Sequence, residues 1–199
     1  MEKSIEITLI HINFTKLTGS SMTKILAFVG MPASGKSEAS SVLRRKGITV
    51  INMGDVIREE VVRRGLEPTD ANTGGVGTDL REKEGTDAVA IRCIPKIKDA
   101  NEDFIGIDGV RSVAEVERFK EAFGDDFTLV SVDSPIELRF ARVLARKRSD
   151  DMQDISALKI RDERELGWGM GEAMEIADIV VDNEGTLEEF REKIIGLLD

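Results

Sequence analysis

The stretch GMPASGKS, residues 30–37, limits the possible folds more than any other part of the chain. It satisfies G-x-x-x-x-G-K-[ST], follows the apolar run KILAFV (24–29), and precedes a helical pattern that reaches Lys46. That order of strand, loop and helix is the context the motif needs. Its glycines let the backbone turn with positive φ, so successive N–H groups face one anion. The helix that follows aims its positive end at the same point. Gly30, Met31, Pro32, Ala33, Ser34, Gly35, Lys36 and Ser37 are therefore expected to cradle the phosphates of a nucleoside triphosphate. In this reading Lys36 reaches the β- and γ-phosphates and Ser37 ligates Mg²⁺.

The rest of the chain fits a sheet that can carry such a loop. Four further runs read as strands, namely ITVIN (48–52), DFIGI (103–107), FTLVSV (127–132) and DIVVD (178–182), with helical patterns between them. Alternating strands and helices, with near-continuously apolar strands, predict a five-stranded parallel sheet covered on both faces, a three-layer α/β/α fold. Ser112 with Glu115, Ser134 with Glu137 and Thr186 with Glu189 match the capping box. Pro135 suits a first helical position, and Gly47 and Gly65 suit C-terminal caps. Pro95 is expected to interrupt the last helical run of residues 56–101, a stretch read as a small helical insertion within one domain spanning 23–199. Residues 1–22, which hold the sole histidine, His11, read as an N-terminal extension.

Composition excludes some partners. The net charge of -10 argues against a binder of duplex nucleic acid. No apolar run approaches the roughly 20 residues of a membrane span. Cys93 is the only cysteine, so no internal disulfide can form; it lies in AVAIRCI and reads as packed core in a cytoplasmic protein.

Ligands of parallel sheets bind beyond the carboxyl ends of the strands. There the chain places MGDVIR (53–58), DGVR (108–111), ARVLAR (141–146) and ADIVVDNEG (177–185). Together these segments resemble the adenylate kinase branch of P-loop nucleoside monophosphate kinases: T-G-D-x-x-R with Met53 for the threonine, a shortened D-G-x-P-R, the R-x-x-x-R that opens a lid, and the last strand with its nucleotide-base loop. Over most of residues 24–199 the chain resembles an archaeal group described as adenylate-kinase-related proteins. The resemblance implies a P-loop NTPase fold, ATP and Mg²⁺ as cofactors, and a short lid over residues 142–156.

Phosphoryl transfer asks a protein to position two substrates and neutralise spreading charge. Arg58 and Arg111, each following an acid at a strand end, are expected to grip the acceptor's phosphate, because a guanidinium fork fits phosphate oxygens. Arg142 and Arg146 share a helix face and are expected to cover the donor. Asp108, and second to it Asp55, are candidates for the Mg²⁺ shell with Ser37. Asn183 and Gly185 are expected to border the donor base. Arg161 and Arg164 read either as completing the cage or as part of an intrahelical ion-pair run. Trp168, between two glycines, reads either as a flap or as packing.

The chain departs from the family where Glu115 replaces a glutamine that helps select adenine in the acceptor. Glu115 reads either as a changed specificity position or as half of a capping box. The segment TDANTGGVGTDLREKEG (69–85) has no counterpart; Arg81 within it either reaches an acceptor phosphate or lies on a surface turn. Two classes of function remain. The first is an ATP- and Mg-dependent kinase acting on a small phosphorylated acceptor, a nucleoside monophosphate or a metabolite such as dephospho-coenzyme A. In the hydroxyl case Asp55 or Asp108 takes the proton. The second is an ATP-binding switch or assembly factor that moves its lid or insertion against a protein or ribonucleoprotein partner.

Overall fold

The computed structural model describes residues 23–146 and 155–198. The expected extension with His11, and residues 147–154 of the expected lid, lie outside the described residues. Strands β1 (Lys24–Val29), β2 (Thr49–Asn52), β3 (Phe104–Val110), β4 (Phe127–Asp133) and β5 (Ile179–Asp182) form one parallel sheet in the order β2-β3-β1-β4-β5. β1, which feeds the phosphate loop, lies at its centre. Alternate β1 side chains serve opposite faces: Ile25, Ala27 and Val29 join one core, Leu26 and Phe28 the other. Burying each large side chain contributes about 1.5–3 kcal/mol, which is why a strand covered on both sides carries almost no polar residues.

The helices are α1 (Lys36–Arg45), α2 (Met53–Arg63), α3 (Asp70–Glu84), α4 (Ala88–Ala100), α5 (Val113–Phe123), α6 (Ile136–Arg146), α7 (Ile155–Leu166), α8 (Met170–Glu175) and α9 (Leu187–Ile195). The Leu26/Phe28 face packs on Val42 and Leu43 of α1 and Phe190 and Ile194 of α9. The opposite face takes Met53 and Val61 of α2, Val76 and Leu80 of α3, Cys93 and Ile97 of α4, Phe119 of α5 and Ala173 of α8. Helices therefore cover both faces, as the strand pattern predicts. Residues 56–101 share one core with the sheet. Among the described residues no helix is long and apolar enough to cross a membrane.

Several local expectations need correction. β3 runs to Val110 instead of ending at Ile107. Gly109, at φ 101°, makes the ladder jump from Phe28 opposite Asp108 to Val29 opposite Val110, so Asp108 sits inside the sheet register. Pro95 lies within α4 and does not interrupt it. Its ring removes one helical hydrogen bond, but both Pro95 and Ile91, four residues back, are exposed, so water can take the freed carbonyl. The 69–85 segment is no surface turn: it is α3, capped by Thr69, whose hydroxyl accepts the Asn72 N–H at 3.2 Å. Of the three capping boxes, only Thr186 with Glu189 is complete. Ser112 caps Glu115 N–H, but the Glu115 carboxylate is drawn elsewhere. The Ser134 hydroxyl serves Asn183 and Arg142 instead of a helix end.

Candidate functional site

The phosphate loop leaves β1 at Gly30 and enters α1 at Lys36. Gly30 (φ 151°), Ala33 (φ 62°) and Gly35 (φ 125°) hold conformations that L side chains rarely adopt. Ala33 does so despite its Cβ, a strain of the kind kept at functional sites. A Cβ on Gly35 would strike the Asn183 side-chain nitrogen. Lys36 curls over the loop and donates to the carbonyls of Gly30 and Met31, the latter at 3.0 Å. Burial pulls its pKa down to about 8, partly opposed by the charges of Glu165 and Asp108 and reinforced by Arg111 and Arg161. Ser34 is buried and its hydroxyl has no partner among the described residues. A strained loop, an ammonium turned on its own carbonyls and an orphaned hydroxyl make a cradle whose chemistry fits a polyphosphate.

Three side chains brace the loop from behind. Asn183, beyond β5, donates from its side chain to the Ser34 carbonyl at 2.7 Å. Arg142 of α6 donates to the Asn183 carbonyl (2.7 Å), the Ser134 hydroxyl (2.9 Å) and the Ser34 carbonyl (3.4 Å). Arg139, which sequence reading passed over, is buried, donates to the Pro32 carbonyl (3.0 Å) and makes a two-pronged pair with Asp162 of α7 (2.9 and 2.7 Å). Arg142 thus contacts the loop backbone and Asn183. Asn183 is committed to loop backbone, while Gly185 is exposed against Glu189. Arg146 ends α6, but its side chain lies outside the described residues.

In front of the loop stands a charge cluster. Asp108 is buried and accepts from the Asn52 side chain at 3.3 Å. Glu165 of α7, also buried, accepts from Arg161 Nε (3.0 Å) and Arg111 Nε (3.4 Å). Burial alone would raise the Glu165 pKa; Arg111, Arg161 and Lys36 overcome this and hold it down to about 2. Sequence reading missed Glu165 as a site residue because RDERE at 161–165 reads as an ordinary helical charge run.

Arg58, Arg111, Arg161 and Arg164 share the walls of one cavity of about 320 Å³, together with Glu165 and Trp168. The structure thus gathers both pairs of expected arginines. Arg58 pairs with Asp55 at 2.5 Å. Asp55 is directed at this guanidinium and solvent, and of the proposed Mg²⁺ carboxylates only Asp108 stands buried by the loop. Arg164 pairs with Asp70 at 3.1 Å and Arg161 with the same carboxylate at 3.4 Å. Trp168 is packed, not a free flap: its ring lies 4.6, 5.6 and 5.9 Å from the guanidinium carbons of Arg81, Arg164 and Arg111, and its N–H donates to Thr78 at 3.2 Å. A second cavity of about 460 Å³ opens on the other side of Trp168, between α3 and the end of α7.

Two expectations fail at Glu115 and Arg81. Glu115 is fully buried and takes Arg81 (2.7 Å) and the Arg111 backbone N–H (2.7 Å). Its carboxylate is used in holding α3 and the Arg111 backbone, so it presents nothing to an acceptor base. Arg81 is likewise enclosed by Glu115 and the Gly77 carbonyl, away from any phosphate it was expected to reach.

Magnesium is commonly held by one or two protein oxygens plus substrate phosphates. Ser37 and Asp108 fit that pattern, and among the described residues no cluster of three or more His, Cys, Asp or Glu forms a metal cage.

Comparison with known proteins agrees with this architecture. Residues 29–160 match the model of a family described as AAA domain. A UPF0200 protein of Methanosarcina barkeri is 60% identical over 175 residues, spanning 88% of this chain and 94% of the relative. Among solved structures, a shikimate kinase from Bacteroides thetaiotaomicron aligns with TM-score 0.60 at 12% identity, over 88% of this chain and 98% of that one. A gluconokinase from Sinorhizobium meliloti aligns with TM-score 0.54 at 16% identity, over 89% and 93%. At such identities the likeness concerns the fold, while the sequence match places the chain in a family: it belongs to the UPF0200 proteins and carries an AAA domain.

Proposed function

We propose that this protein transfers the terminal phosphoryl group of ATP to a small acceptor that already carries a phosphate, a nucleoside monophosphate or a related metabolite such as dephospho-coenzyme A. The observation that carries the reading is the single cavity in which Arg58, Arg111, Arg161 and Arg164 converge, with Arg111 and Arg161 near enough to Lys36 to help pull its pKa down. A protein that only hydrolyses ATP has no use for a second phosphate clamp. Shared fold with a shikimate kinase and a gluconokinase makes small-molecule phosphoryl transfer the starting expectation.

The loop N–H groups and Lys36 hold the donor's phosphates, with Arg142 and Asn183 keeping the loop in shape. Arg58 and Arg111 take the acceptor's phosphate. The acceptor oxygen attacks the γ-phosphorus in line, its bond forms as the bond to the β–γ bridging oxygen breaks, and ADP departs. Lys36 neutralises the transferring group, and Arg161 and Arg164 complete the cage of cations around the acceptor's phosphate. Ser37 and Asp108 would hold Mg²⁺, which supplies further neutralisation of the nucleotide oxygens. A phosphate acceptor needs no general base; for a hydroxyl, Asp108 is the better-placed proton acceptor, because Asp55 is tied to Arg58. With Glu115 buried, adenine selection in the manner of adenylate kinases has no side chain to perform it at that position.

The test follows ADP formation from Mg-ATP with a panel of nucleoside monophosphates and dephospho-coenzyme A. ADP that rises with one acceptor, is lost in Lys36→Ala, and falls in kcat/KM by about 10- to 100-fold in Arg58→Ala supports the reading. Acceptor-independent ADP release stimulated by a protein partner supports a switch instead. Acceptor turnover untouched by Arg58→Ala removes the clamp.

A further inference from the structure

Each arginine facing the acceptor-side cavity already has an acidic partner in the chain, and these partners differ in how readily they can be exchanged. Arg58 is served by Asp55 on the same exposed helical turn. Arg111 and Arg161 meet Glu165, which is buried and rides on the same helix as Arg161. Asp70 is different. It is the first residue of α3, and the two arginines it holds, Arg161 and Arg164, lie on α7, so the pair spans two walls of the cavity. Its side chain is 40% exposed, so release to water costs little.

Arg164 is also fitted to this place. Its guanidinium lies against the α3 backbone at Gly74, where an added Cβ would stand 2.6 Å from Nη1. Glycine inside a helix is less stable than alanine, and here it admits the arginine. The Arg164 Nε is buried without a partner among the described residues, while both Nη atoms go to Asp70.

Resting on the proposed function, we infer that Asp70 is an internal substitute for the acceptor's phosphate: it occupies Arg161 and Arg164 in the empty protein and yields them to the substrate. Carboxylate and phosphate oxygens suit the same guanidinium fork, and a phosphate dianion brings the greater charge. Asp70 is thereby a positioning residue that keeps the α7 arginines aimed into the cavity and raises the affinity threshold an anion must pass.

The experiment uses the full chain with its loop saturated by Mg²⁺ and a non-hydrolysable ATP analogue, and titrates inorganic phosphate calorimetrically. Asp70→Asn is expected to bind phosphate about three- to tenfold tighter than the wild type, as loss of a competing half-exposed ion pair allows. Adding Arg164→Ala is expected to abolish that gain. Asp70→Ser reads the same quantity should the Asn variant fail to fold. Phosphate binding by the wild type that is unchanged or weakened in folded Asp70 variants overturns the inference and leaves the acceptor clamp standing. No phosphate binding by any variant overturns both.

Discussion

Glu165→Gln is the substitution with the most to reveal about the charge cluster. The side chain keeps its shape and loses its charge among Lys36, Arg111 and Arg161. A carboxyl held at about 2 in place of its ordinary 4.5 corresponds, at about 1.4 kcal/mol per pKa unit, to about 3 kcal/mol. Glu165 is only 2% exposed, so solvent screening discounts this little. Urea denaturation at pH 7 should therefore find the variant about 3 kcal/mol less stable. The folded pKa lies below the unfolded one, so this stabilisation is present above 4.5 and is lost as pH falls toward about 2. The gap between wild type and variant should narrow over that window. Anions should restore part of it, since sulfate or ATP can replace the missing charge. The reasoning is refuted if the variant matches the wild type at pH 7, or if a gap persists unchanged into acid.

Two further outcomes are expected. Between about 8 and 10.5 the empty protein leaves Lys36 largely neutral, whereas bound phosphates should return its proton. Calorimetry of nucleotide binding at pH 9 in two buffers of different ionisation heat should thus report uptake of most of one proton; equal heats would show that Lys36 is already charged. Arg139→Ala should cost about 3–5 kcal/mol in urea, because Asp162 is left buried and unpaired, and should weaken ATP binding through the loosened Pro32 carbonyl. A loss below about 1 kcal/mol would mean that the clamp does not hold the loop.

Much of the phosphate loop's geometry was legible because its information is local. Strand, glycines, lysine and helix start are consecutive in sequence, and their backbone geometry follows from residue type. The arginine-lined cavity was legible only as a set of candidates. Arg58 and Arg111 could be picked out by the acids before them, but nothing in the sequence distinguishes Arg81, buried against Glu115, from Arg164, which lines the cavity. Asn183 was placed near the nucleotide for its position after β5. That its side chain faces the Ser34 carbonyl depends on β5 lying beside β4.

By itself, then, the chain's pattern of residues determined the five parallel strands, the glycine-rich loop motif after the central one and the cations available around it, because these rest on periodicity and on contiguous motifs. Which cation serves which anion was decided only by the tertiary structure. Arg139 with Asp162, Arg111 with Glu165, and Arg164 with Asp70 join residues 23, 54 and 94 positions apart. An ion pair is selected by distance and burial in three dimensions, and neither quantity is written along a single helix.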